Sequence, residues 1–352
     1  MQTALFPEPD EPRPEPASKR QASDGPVAAA PADPALRALA AALPAELRLG
    51  TSSWTYPGWK GLVWDREYTE TALARQGLRA YAQHPLFRTV GLDRSFYRPL
   101  TPDQFAEYAS QVPEDFRFVV KAPNLVTDPM RRDGAGRGLR PNPDFLDADA
   151  ALREAIVPAA QGLGRRLGVV VFQISPLPRS WLGRIPALIE RLHGLLRGIA
   201  PSSDAVVAVE VRDPQWLTSD LVAALRDTGA TYCMALHAKM PVIADQLPLL
   251  RALWPGPFVC RWNLNPVHGA FGYEDARRQY EPFDRLVDPD PQTRATLARV
   301  IAGTVGAGHP AYVTLSNKAE GSSPLSVVAL AQAVCDLRRP AAGAAPETPE
   351  GA

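Results

Sequence analysis

The chain is poor in lysine and poorer in cysteine. Five of its 38 basic residues are lysines, which leaves 33 arginines, and a GC-rich genome accounts for that bias. Cys233, Cys260 and Cys335 are odd in number and far apart, which excludes a disulfide framework and any zinc-finger spacing. Buried, reduced thiols in a cytoplasmic protein are the expectation. There is no apolar run long enough to span a bilayer, and no apolar core of a signal peptide near Met1. No net charge remains when 38 acidic residues are set against 38 basic ones, so a whole-surface attraction to nucleic acid or membrane is excluded. Also missing are a Gly-x-Gly-x-x-Gly turn after the first strand, a phosphate-cradling Gly-x-x-x-x-Gly-Lys-Ser/Thr loop, a nucleophile elbow and any repeat of solenoid length.

What the chain does have is alternation. Its 352 residues begin with a Pro/Ala-rich stretch, 1–34, and end with another, 340–352, both expected to be disordered tails. Between them, residues 35–339 read as one domain of β-rich runs alternating with helical ones. The runs start at Leu47, Thr89, Phe116, Leu167, Ala205, Thr231, Pro257 and Ala311. Helical patterns follow, among them Trp181 to Ile199, Ser219 to Thr228, Gln292 to Gly306 and Pro324 to Leu337. Eight strands and eight helices in about 300 residues predict an α/β fold, a (β/α)8 TIM-like barrel.

In such a barrel the chemistry sits at the carboxyl ends of the strands. The predicted endings carry Trp54 and Tyr56, Asp93 and Tyr97, Lys121, Gln173, Glu210 and Arg212, His237, Arg261, then Asn317 and Lys318. Glu210 and Arg212 share a face two residues apart at the end of Ala205-Val-Val-Ala-Val-Glu-Val-Arg212, a run apolar on both sides. Glu210 is expected as acid or base held by Arg212, with Lys121 as electrophile or proton donor and Asp93 as a third catalytic candidate. Arg261 would clamp an anion, helped by Ser322 and Ser323, where Gly-Ser-Ser-Pro predicts a helix start with open N–H groups. Only Asp93, Glu210 and His237 are metal-ligand types at strand ends, without ligand spacing, so no metal or other cofactor is expected.

The partner this set fits is a small anionic or phosphorylated molecule. The competing reading is a nucleic-acid-associated protein, catalytic or purely binding, using the aromatic mouth and the Arg-rich loop Arg131 to Arg140. Gly and Arg at that density predict a mobile segment.

The endings also form a series of motifs. Gly50-Thr-Ser-Ser-Trp54-Thr-Tyr56-Pro-Gly-Trp59-Lys-Gly61, Ser95-Phe96-Tyr97-Arg98, Phe118-Val-Val-Lys121, Phe172-Gln173-Ile-Ser-Pro176, Glu210-Val-Arg212-Asp-Pro-Gln-Trp216 and Asn317-Lys-Ala-Glu-Gly321 resemble, in that order, the motifs of the YecE-like family, domain of unknown function 72. The resemblance covers most of Leu47 to Leu337 and implies a barrel of the same kind, without a settled activity. The chain departs from the family pattern at three places. Val90-Gly91-Leu92-Asp93 stands where Val-Glu-x-Asn is usual, Thr127-Asp128 replaces Thr-His, and Arg261-Trp-Asn-Leu-Asn replaces Arg-x-His-Gly, with His268-Gly269 downstream. The departures cluster at the mouth and mark a divergent member.

Overall fold

The computed structural model describes residues 25–133, 137–199 and 205–338. The expected tail residues 1–24 and 340–352 lie outside these. Eight parallel strands close into a barrel: β1 (Leu47–Thr51), β2 (Phe87–Leu92), β3 (Arg117–Lys121), β6 (Leu167–Gln173), β7 (Val206–Glu210), β8 (Thr231–Leu236), β9 (Phe258–Trp262) and β10 (Ala311–Leu315). Each pairs with its neighbour in that order, and β10 returns to β1 with Leu47 opposite Ala311. Two further strands, β4 (Met130–Arg132) and β5 (Gly138–Pro141), form a separate antiparallel hairpin between β3 and β6.

The strands hold because they are apolar on both faces. Inward side chains Val119, Val169, Val171, Ala208, Cys233, Val259 and Tyr312 form one buried cluster that fills the barrel. Outward ones such as Phe118, Val120, Val170, Phe172 and Val209 belong to a second cluster under the helices. The helix Ile185–Ile199 shows why the outer layer forms: Ile185, Leu188, Ile189, Leu192, Leu195, Leu196 and Ile199 are buried, a stripe repeating at three and four residues. Each such side chain contributes about 1.5–3 kcal/mol on burial. Local signals set the helix ends. Thr101 and Gln104 form a reciprocal capping box before Pro102–Ala109, and Gly229 at φ 69° ends Ser219–Thr228.

Three expectations change. The Arg-rich segment after β3 is a fastened hairpin: Arg132 pairs with Asp128 at 2.6 Å, Arg137 with Asp133 at 3.0 Å, and Arg131 with Asp144. Asn142 adds donations from its Nδ2 to the carbonyls of Leu125 and Asp128. Opposite charges four residues apart make this possible, a spacing that a composition-based reading of the loop overlooks. Secondly, part of the expected N-terminal tail is in place, since Ala30 N–H donates to the Val63 carbonyl and Ala28 N–H to the Tyr68 hydroxyl. Thirdly, helices Ile243–Ala252 and Tyr273–Tyr280 add to the helical patterns read from the sequence, which named neither. Pro248 inside the first conceals its period.

Glycine closes the β1–β2 seam. Gly50 lies opposite Thr89, and a Cβ there would sit 1.8 Å from the Thr89 carbonyl oxygen. Gly50→Ala is therefore expected to destabilise the fold by about 3 kcal/mol, the upper end for overpacking. The check is a lower denaturant midpoint at unchanged slope.

Candidate functional site at the barrel mouth

β2, β3, β6 and β7 end side by side, β9 ends across β8 from β7, and side chains from the ends of these strands meet. Glu210, fully buried, lies between two guanidiniums: its Oε1 is 2.5 Å from Arg212 Nη2 and its Oε2 is 2.8 Å from Arg261 Nη1. Gln173 Oε1 accepts from both arginines at 3.0 Å. The other end of Arg261 donates from Nη2 to both oxygens of Asp93 at 3.0 Å. Arginine suits this place because its planar fork serves two carboxylates at once while staying charged.

Electrostatics assign the roles. Burial alone would raise the pKa of Glu210, but Arg212 and Arg261 override it and hold the carboxyl down at about 2. It stays ionised at every pH above that, with both oxygens engaged, and its side chain does not line the open cavity. An ionised carboxylate placed this way suits holding the two guanidiniums better than the expected role as acid or base. Arg261 responds in the opposite sense. Burial works against its charge, and Asp93 and Glu210 push its pKa above the usual arginine value.

Lys121 differs from both arginines. Its ammonium lies 3.7 Å from the centroid of the Phe96 ring, and among the described residues no carboxylate forms an ion pair with it. Burial brings its pKa down to about 8; Asp93 and Glu210 oppose the shift, and Arg261 and Arg212 reinforce it. The backbone carbonyl of Lys121 accepts from Ser95 Oγ at 2.7 Å, which fixes the strand end. His237, by contrast, is neutral near pH 7, because burial, then Arg212, lowers its pKa to about 4. Its Nδ1 accepts the Lys239 N–H at 3.0 Å, so the ring carries its proton on Nε2.

These residues rim a cavity of about 640 Å³, a size that suits a small metabolite. Tyr56, Asp93, Tyr97, Lys121, Gln173, Arg212, His237, Arg261 and Lys318 all line it, as the strand endings imply. Lys239, Phe271 and Tyr273 join them from the connections after β8 and β9. Tyr273 starts the unexpected helix Tyr273–Tyr280 and hydrogen-bonds Arg212. Nothing short of knowing that helix would have singled it out. Tyr56 keeps its proton, since burial and then Asp93 raise its pKa to about 12.

Four expected residues are elsewhere. Trp54 is buried beside the mouth, its indole N–H donating to the Leu73 carbonyl at 3.1 Å and its ring edge-on to Tyr108. Asn317, Ser322 and Ser323 are buried too. The start of the helix Ser323–Arg338 is closed from within: Asn317 Oδ1 accepts from Ser323 N–H and Ser323 Oγ, each at 2.8 Å, and from Trp59 Nε1 at 3.2 Å. Its N–H groups are thus not offered to an anion in the mouth. Lys60 is exposed, nine residues past β1.

A second cavity, about 620 Å³, opens at the amino ends of β8 and β9, between helices Ile243–Ala252 and Pro291–Gly306. Leu247, Leu250, Trp254 and Val300 make it mainly apolar, and in a barrel the chemistry belongs at the other end. Among the described residues, no three His, Cys, Asp or Glu side chains gather as metal ligands would, and no helix is long and apolar enough to cross a membrane.

A family model described as "Protein of unknown function DUF72" matches residues 48–350. The chain belongs to that family. A DUF72 protein from Enterococcus faecalis V583 superposes with a TM-score of 0.52 at 14% identity, over 82% of this chain and 95% of that one. A DUF72 protein from Thermotoga maritima MSB8 gives 0.48 at 18% identity, over 83% and 99%. The first shares the barrel fold; no curated protein matches. The departures from the family motifs now have places. A Cβ on Gly91 would lie 2.9 Å from the Ser52 carbonyl oxygen, and Asp93, two residues on, supplies the mouth carboxylate instead. Asp128 is buried against Arg132. Asn263 lines the cavity, whereas His268 pairs with Asp275 at 2.9 Å outside it.

Removing one member of a buried charge cluster strands the others. Glu210→Gln is expected to cost about 3–5 kcal/mol of stability. Lys121→Met, which removes an amine without an ion-pair partner, should leave stability unchanged or raised. Equilibrium denaturation of the two variants side by side checks the contrast.

Proposed function

We propose that this DUF72 protein is an enzyme that binds a small anionic molecule in the barrel mouth, with Lys121 as the group facing it. One observation carries the reading: at the mouth, Lys121, Arg212 and Arg261 stand against two carboxylates, and both carboxylates are bonded to guanidiniums. A buried cluster with one cation in excess attracts an anion. Lys239 and Lys318 at the rim add to the attraction, while Asp93 is the lining carboxylate among the described residues.

Catalysis would rest on the Lys121 amine. An amine that sheds its proton near pH 8 can act as base or nucleophile at neutral pH, which an ordinary lysine rarely does. Aromatic walls from Tyr56, Phe96 and Tyr273 would exclude water and flank a planar ligand. The three buried cysteines suit a reducing cytoplasm.

An anion beside Lys121 favours the protonated amine, so binding raises its pKa. By linkage, affinity is full below about pH 8 and falls about tenfold per unit as pH rises beyond it. The other charges facing that amine are Asp93, Glu210, Arg212 and Arg261; Glu210, held down at about 2, keeps its charge over that range, and Arg261, pushed above the usual arginine value, keeps its own. Sulfate, whose charge is constant there, is the probe. Calorimetry at low salt should show weaker binding at pH 9.5 than at pH 7, and Lys121→Met should flatten the dependence. Undetectable sulfate binding at both pH values would sink the reading.

A further inference from the structure

We infer that the Lys121 amine condenses with the carbonyl carbon of an anionic aldehyde or oxo acid, forming an imine inside the mouth. This rests on the anion-binding reading above and names the substrate class for it. Three geometric facts point there. The amine end lies against the Phe96 ring at 3.7 Å and forms no ion pair with a described carboxylate, so no salt bridge blocks its lone pair. The two carboxylates that could hold it are taken: Glu210 by Arg212 and Arg261, and Asp93 by Arg261 through both oxygens. The surrounding cations would hold the carboxylate of the substrate while its carbonyl meets the nitrogen.

The depressed pKa agrees with the geometry, since burial and the flanking guanidiniums keep a share of the amine neutral at pH 7. Among the described residues no other lysine combines these features. Lys239 stacks on the exposed Phe271, and Lys318 sits about 6 Å from the Tyr273 and Phe283 rings at the rim. Lys60 is exposed.

The step balances without a further reactant. The nitrogen lone pair forms a C–N bond as the carbonyl π pair moves to oxygen, and the proton shed by nitrogen neutralises that oxygen. The resulting carbinolamine takes up one proton and loses water, which breaks the C–O bond and leaves a protonated imine. No redox change occurs. Tyr56 and the Nε2–H of His237 line the cavity as neutral donors to the departing oxygen.

The test uses the full chain with glyoxylate and cyanoborohydride, which reduces an imine to a carboxymethyl amine, followed by peptide mapping. At pH 7 Lys121 should label roughly tenfold or more faster than the exposed Lys60, because a pKa lowered to about 8 leaves Lys121 a reactive share of neutral amine. Acetaldehyde, which carries no charge, should label Lys121 more slowly than glyoxylate does, and sulfate should protect it. If sulfate binds but Lys121 reacts no faster than Lys60, the imine is refuted and the anion site survives. If acetaldehyde labels Lys121 as fast as glyoxylate and sulfate gives no protection, the imine with an anionic substrate and the anion reading fail together. Lys121→Arg should abolish the adduct at that peptide; should that variant not fold, the wild-type map decides alone.

Discussion

Everything at the mouth depends on one ionised carboxylate kept away from water. Glu210 could not remain charged at its depth without Arg212 on one oxygen and Arg261 on the other. Neither arginine would remain there without it. Through Arg261 the cluster reaches Asp93 at the end of β2, and through Gln173 it reaches the end of β6. Four strand ends are thereby bound through polar bonds where apolar packing gives out. So expensive an arrangement holds guanidiniums at fixed places, which a flexible surface cation cannot do.

The same constraint explains why Lys121 stands apart. Carboxylates choose the bidentate partner, and the lysine is left with an aromatic face. Its lack of an ion pair with a described carboxylate thus follows from its neighbours' geometry, and its lowered pKa first from its own depth.

Much of the fold was legible from sequence because barrel strands are apolar on both faces, a pattern few other elements share. The run ending in Glu210 and Arg212 is the clearest case. It predicted a buried strand with its charges at the carboxyl end, and β7 with its arginine just beyond is what formed. The ring of polar endings likewise placed Lys121, Gln173, His237 and Arg261 around one opening. Roles were harder to read. That Glu210 has both oxygens occupied depends on Arg261, fifty-one residues away, and no local pattern encodes such a meeting. Ser322 and Ser323 showed a correct helix start, but its closure by Asn317 is a tertiary contact. The Arg-rich segment misled for a further reason: its composition is that of a loop, while its four-residue charge spacing and Asn142 tie it down.

The bond from Trp59 to Asn317 joins side chains 258 residues apart, beside the β1–β10 pairing that completes the ring. Neither can form until nearly the whole chain has emerged from the ribosome. Until then β1 has an open edge, and the half-built barrel exposes the apolar interior that its last strand will cover. Assembly of the mouth is therefore a late event in synthesis. A chain released early, before residue 315, would retain most of its helices and none of its closed pocket.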